Sequence, residues 1–367
     1  VPSTLDSLAY KPTLNEVLSR LQSLYDRRAR DRIFASMEIP SRTLADFARR
    51  YRQGYCECPD PTERVAFWDR LLKERAAVED DSVPSAYLSE MDQGLYGGLL
   101  GGEVQFMAHP ENGWISSMVP PLLKDWSELD GLRFDRNHVW FQRYERFLRV
   151  FVEGADAKFG ISHFILINGL NFVYELVGAF ETYVSLLERP EWVRRAVELG
   201  LEVNLAVQRT FFDWVPTLRG GTCSNMVEWV PGRVVSESVD PFHLTSVEYF
   251  EQWGREPLER VLQHFDGGVV HIHGNGRHLL EAVSTVKGLR ALYLGDDTGY
   301  PPAVEVLPEL QRRTGDVPLV VSVSYERFVE KLAGRQLPGG VLYKVTDVPD
   351  VDTANRLMEK VRTYRAG

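Results

Sequence analysis

Two histidines one residue apart, His271 and His273 in VVHIHGNG, are the residues of this chain best placed to do chemistry. On a strand, side chains at i and i+2 point to the same face, so both imidazoles can reach one point and could share one metal ion. The competing reading makes them hydrogen-bonded interior groups, or direct contacts to an anionic substrate. Five of the eight histidines fall between positions 243 and 278, although nearness in sequence is not nearness in space. Asn275 lies in Gly274-Asn275-Gly276, a turn whose N–H groups could face an anionic substrate. The run lacks the spacing of a dinucleotide-binding loop, and a tight turn with Gly and Asn at positive φ explains it simply.

Carboxylates come next. Asp92 stands in SEMDQG, and Asp296 precedes Asp297 in LGDDTGYPP, each just beyond a candidate strand. There a carboxylate can be a third metal ligand, a general acid or base, or the acceptor that orients a ligating imidazole. We take Asp296 as the third ligand beside His271 and His273, with helix capping or turn chemistry as the alternative for the Asp pair. Lys344, in GVLYKVT, shares a strand face with Leu342 and Thr346; pointing inward it would anchor an anion, and otherwise it snorkels to a rim. Cys56 and Cys58 have no downstream pair and do not make a zinc motif, and no base can be placed beside Cys223 from sequence. No G-x-S-x-G, P-loop or HExxH run occurs.

The elements that must hold these residues alternate regularly from residue 163. Strands are predicted at 163–168, 220–225, 268–273, 290–295, 318–324 and 340–346, with weaker ones at 32–38 and 82–90, and amphipathic helices between them. Pro190 opens one helix, Thr245 with Glu248 caps another, and Asp60, Pro61 and Glu63 start a third. The glycines and prolines of 94–120 predict a loop with a hairpin. About eight strands with interleaved helices fit a (β/α)8 TIM barrel, and no phosphate loop supports a doubly wound sheet. We therefore expect an N-terminal helical extension over 1–80 packed on a barrel over 81–367. Catalytic groups would then sit just past the carboxyl ends of the strands.

Composition narrows the function classes. The chain has 367 residues, 44% hydrophobic and 26% charged, enough for one large core. A net charge of −10 without a run of like charges argues against nucleic acid or an anionic membrane as a partner. No apolar stretch reaches the roughly 18 residues of a membrane span. Three cysteines and a first segment unlike a signal peptide make the cytoplasm the expected location.

The segments SEMDQGLYGGLLGGEVQF, NGLNFVYELVGAFETYVSLLERPEWV, SESVDPFHLTSVEYFEQWGREPLERVL, VVHIHGNGRHLLEAV and GGVLYKVTDVPDVDTANRL, in that order, resemble the uroporphyrinogen decarboxylase superfamily over roughly residues 80 to 365. The resemblance implies a (β/α)8 barrel, often a homodimer. It places Asp92 where the decarboxylases keep their catalytic aspartate, and Lys344-Val345-Thr346 where they carry Gly-His-Gly. Their arginine-rich N-terminal segment has no match, Arg42 being at most a remnant. In the corrinoid-linked methyltransferases of the superfamily, zinc is held by His-x-Cys and a later Cys and activates a thiol acceptor. His271 matches that histidine, His273 replaces the first cysteine, and the later cysteine has no counterpart.

The leading expectation is therefore an enzyme that holds a divalent metal, zinc first, on His271, His273 and Asp296. It would transfer a methyl group from, or otherwise cleave, a small polar substrate, with a corrinoid protein or a thiol as acceptor. Asp92 would act as acid, base or orienter, while Tyr174, Asn275 and Lys344 would line the substrate pocket. The second expectation is a metal-independent decarboxylase centred on Asp92, and the third a noncatalytic small-molecule-binding barrel.

Overall fold

The computed structural model describes residues 4–367. The β-branched runs form parallel strands because a helix follows each and returns the chain to the same end of the sheet. Seven strands pair in parallel in the order Ile33–Met37, Val341–Thr346, Leu319–Ser324, Leu289–Leu294, Gly268–Ile272, Val235–Ser238 and Ile165–Leu166. A second parallel pair joins Ser85–Tyr87 to Gly160–Ser162, and the chain runs from there through His163 and Phe164 into Ile165–Leu166. The connecting helices include Pro61–Glu74, Val139–Ala155, Pro190–Trp214, Arg255–Gln263, Leu307–Thr314, Tyr325–Ala333 and, after the last strand, Val351–Thr363.

Among the described residues no strand pairing joins Ile33–Met37 to Ser85–Tyr87. A bare strand edge leaves N–H groups unmet, and here two carboxylates meet them. Asp81 accepts from the Ala35 N–H at 2.9 Å and Asp80 from the Met37 N–H at 2.7 Å, while the Asp81 N–H donates to the Ala35 carbonyl at 2.9 Å. Lys11 and Arg75 pair with Asp80, and Arg20 with Asp81. Burial alone would raise the Asp80 carboxyl, but Lys11 and Arg75 overcome it and hold it at about 2.

The register assigns the faces. Phe34, Leu342, Val320, Ala291 and Val269 share one buried cluster with Leu14, Val17, Leu18 and Leu21 of the helix Leu14–Tyr25. Two residues further along each strand the same face turns polar, with Ser36, Lys344, Ser322, Tyr293 and His271. The apolar half is an anchored floor; the polar half opens toward the carboxyl ends. The opposite face packs on the helices in the larger core.

Several expectations change. Residues 220–225 do not enter the parallel sheet: Gly221–Ser224 pairs antiparallel with Glu228–Pro231 in a separate four-stranded sheet with Thr4–Leu5 and Thr217–Leu218. The parallel strand of that region is Val235–Ser238, whose sequence VSES conceals it. Ser236 and Ser238 lie on the face of Val269 and His271, level with each in turn, while Glu237 on the other face is buried against Gln208 and Asn204. The segment 1–80 supplies the Ile33–Met37 strand as well as helices, so the sheet begins before residue 81. The hairpin forms as Gln105–His109 and Trp114–Met118, but a helix, Gln93–Leu99, precedes it in the glycine-rich run. Its glycines are contact points: a Cβ on Gly94 would meet Ser117 Cβ at 2.7 Å and one on Gly97 would meet Val119 Cβ at 2.6 Å. Asp60 caps Pro61–Glu74 as expected, whereas Ser246 rather than Thr245 precedes the helical turn Val247–Tyr249. Among the described residues no helix is long and apolar enough to cross a membrane.

Candidate metal centre

Three adjacent strands deliver one cluster. His271 is in Gly268–Ile272 and His273, still extended, follows it, so alternation puts both rings on one side with centroids 4.3 Å apart. Asp240 follows Val235–Ser238, the neighbour on one flank, and Asp297 follows Leu289–Leu294, the neighbour on the other. Asp240, His271 and His273 each offer a ligand atom, and these atoms lie within 4.8 Å of one another.

The second ring of contacts fixes the tautomer at one imidazole. His273 Nδ1 lies 3.0 Å from Asp297 Oδ1, which leaves Nε2 on the side of Asp240, 4.0 Å from its Oδ1. A carboxylate behind a ligating imidazole orients the ring and raises its basicity. Burial would raise the Asp297 carboxyl, but the amides of Asn275 and Gly274 and the His273 ring hold it below the usual range. Asp240 Oδ1 is buried without a hydrogen-bond partner, and so is Nε2 of His243, whose Nδ1 lies 3.8 Å from that oxygen. Burial first, then the neighbouring His273, pushes His271 down to about 4, which keeps it neutral and ligand-competent at pH 7. Gly295 makes room for both rings: a Cβ there would meet His271 Nε2 at 2.8 Å and His273 Nδ1 at 3.6 Å.

Asp296 is not the third member of this group. Its carboxylate accepts from the Ala303 N–H at 2.7 Å and from Arg277 at 3.1 Å, which is turn and capping chemistry. Asp240 is instead the carboxylate that lies with the two histidines. The sequence signal for Asp240 was the segment SESVDPFHL, but assigning the preceding strand to 220–225 hid the position of its aspartate.

The other expected residues spread out. Asn275 backs the cluster, its N–H donating to Asp297 Oδ2 at 3.2 Å while its own Oδ1 is buried and unpartnered. Asp92 follows the Ser85–Tyr87 strand and caps Gln93–Leu99; its Oδ1 accepts from Gln93 N at 2.6 Å and Ser117 N at 3.1 Å. Burial dominates these contacts and pushes its carboxyl up to about 7. Tyr174 is on the helix Leu170–Val177 and exposed. Lys344 lies on the polar face, donates to the Asn225 carbonyl and stands 5.6 Å from the centroid of Tyr293, whose ring is 5.1 Å from that of His271. Burial pushes the Cys223 thiol up to about 12, which removes it as a nucleophile near neutral pH.

No family model matches the chain, and no curated protein matches it. Among solved structures it is similar to a methyltransferase from Methanosarcina mazei, with a TM-score of 0.62 and 14% identity, over 94% of this chain and 98% of that one. At that identity the similarity establishes a shared fold, and the site must carry any argument about chemistry.

Proposed function

We propose that the chain is a metal-dependent enzyme of the uroporphyrinogen decarboxylase superfamily that transfers a methyl group from, or cleaves a related bond in, a small polar substrate. In this reading the two parallel ladders are arcs of one (β/α)8 barrel, with the carboxylate-filled edge at Asp80 and Asp81 as its seam. The observation that carries the reading is the convergence of Asp240, His271 and His273 from adjacent strand ends, with a buried Asp240 oxygen that has no protein partner.

The donor set fits a borderline cation: two imidazoles and one carboxylate suit zinc, and other divalent metals less selectively. When bound, such an ion supplies Lewis acidity or stabilises a thiolate. The chain's own groups do the rest. Asp297 holds the His273 ring so that Nε2 faces Asp240. The Asn275 N–H holds the other oxygen of Asp297, and its own Oδ1 is buried behind the cluster without a partner. Tyr293 and Lys344 continue the polar face away from the cluster. Methyl transfer, the activity for which the similar Methanosarcina mazei protein is named, is the reaction this reading adopts, with a corrinoid protein or a thiol as its acceptor. A homodimer in the cytoplasm completes the proposal.

The test is elemental analysis of purified protein beside the His271→Ala/His273→Ala double variant. About one equivalent of divalent metal per chain, lost in the double variant, is expected. Absence of metal from both proteins after supplementation would overturn the reading. Asp92, with its carboxyl raised to about 7, would then be the group to study for metal-free decarboxylation.

A further inference from the structure

A cavity of about 280 Å³ lies against the seam, apart from the three candidate ligands, with Ser36, Lys344, Asn225, Glu228, Tyr87 and Trp114 among its walls. Its size is at the lower limit of small-molecule pockets, so its occupant is a small metabolite rather than a cofactor-sized ligand.

The unsatisfied groups define the occupant. An ammonium has three N–H donors, and Lys344 spends one on the Asn225 carbonyl. Glu228 Oε1, at 3.8 Å, is close enough to attract but too far to accept a hydrogen bond. Asn225 Oδ1 is buried with no partner at all. That oxygen is screened from the cavity, so the groups that meet at one wall are the spare donors of Lys344 and the free Oε1 of Glu228, and leaving such groups unpaired is costly. Tyr87 and Trp114 stand edge to face at 4.8 Å and give an apolar wall able to take a flat body. Glu228 has a φ of +66°, the left-handed residue that closes the three-residue hairpin loop between Gly221–Ser224 and Glu228–Pro231, and this turn sets its side chain at the cavity wall. Its Oε2 is held by the Val83 N–H at 3.2 Å.

We propose that this cavity binds a small carboxylate that carries an amino or hydroxyl group on the neighbouring carbon and a flat, aromatic-sized body. The carboxylate takes the free donors of Lys344, the adjacent N–H or O–H donates to Glu228 Oε1, and the body rests on Tyr87 and Trp114. Tyr293 lies between Lys344 and His271, so the charged end sits one side chain from the candidate metal centre. Only that last link, to the reacting centre, rests on the function proposed above; the binding does not.

The test is calorimetric titration of chelator-treated, full-length protein with phenylalanine and 3-phenyllactate, with 3-phenylpropionate as the probe that lacks the donor. One of the first two should bind at least about tenfold more tightly than 3-phenylpropionate, and Lys344→Met should weaken it by about tenfold or more. Tighter binding of phenylalanine would assign the donor as an ammonium on Glu228; tighter binding of 3-phenyllactate would assign a hydroxyl on the same carboxylate. Equal binding of all three probes, or of none, overturns the proposal without needing a variant. Unchanged affinity in Lys344→Met of native circular dichroism overturns it as well. Because no metal is present, failure here is separable from failure of the metal centre.

Discussion

At the scale of single residues, the candidate centre depends on which aspartate faces the histidines. Asp240 has an unpartnered oxygen beside both rings, whereas Asp296 spends its carboxylate on Ala303 and Arg277. Asp240→Asn should therefore lower metal content well below one equivalent, while Asp296→Asn should retain metal and lose only stability, by about 1–2 kcal/mol. Metal analysis with a thermal melt on each variant separates these outcomes. Gly295 offers a test by shape alone. A methyl group there would stand 2.8 Å from His271 Nε2, so Gly295→Ala should displace that ring and reduce metal retention at nearly unchanged secondary structure. Full retention would show that His271 is not held where the cluster requires it.

At the scale of elements, the distinctive feature is the edge between Ile33–Met37 and Ser85–Tyr87, where carboxylates replace a ladder. Asp80 accepts from Met37 and is itself held by Lys11 and Arg75, so removing its charge leaves buried cations without their partner. Asp80→Asn should cost about 3–5 kcal/mol in denaturant unfolding, because one half of a buried pair remains. The pH dependence has a definite sign. With the folded carboxyl depressed to about 2, its stabilisation is complete above the unfolded value of about 3.9 and is lost as pH falls through 2. The variant should therefore show a shallower acid limb than the parent, and an unaltered limb would remove Asp80 from the account.

At the scale of the whole molecule, the helix Pro190–Trp214 is fastened to the sheet partly through one buried carboxyl, Glu237. Gln208 donates to it at 3.2 Å and to Asn204 at 2.7 Å, yet burial prevails and raises the carboxyl from 4.5 to about 8. The folded protein thus keeps a proton that the unfolded chain releases. Its contribution is fully present below pH about 4.5 and is lost progressively as pH rises through 8, by at most about 5 kcal/mol. Glu237→Gln, which cannot ionise, should flatten the fall of stability over that interval in chemical-denaturation curves taken at several pH values. A slope equal to the parent's would place the ionisation elsewhere.

By itself the sequence determined what depends on local pattern. The alternation in GVVHI, RALYLG, PLVVSVS and GVLYKVT set four strands and their alternating faces, and with them the pairing of His271 with His273 and the shared face of Leu342, Lys344 and Thr346, while which way Lys344 points was left to the fold. Pro190 and Asp60 marked helix starts because their effects act within one turn. What tertiary structure decided is what depends on neighbours distant in sequence. Val235–Ser238 became a strand because Gln208 and Asn204 accommodate its buried Glu237, a compensation no local pattern reveals. Strand order then brought Asp240 and Asp297 to either side of the histidines and turned Asp296 away to Arg277. Which of several similar aspartates reaches a site is set by the twist and register of strands tens of residues apart, and that information exists only once the chain has folded.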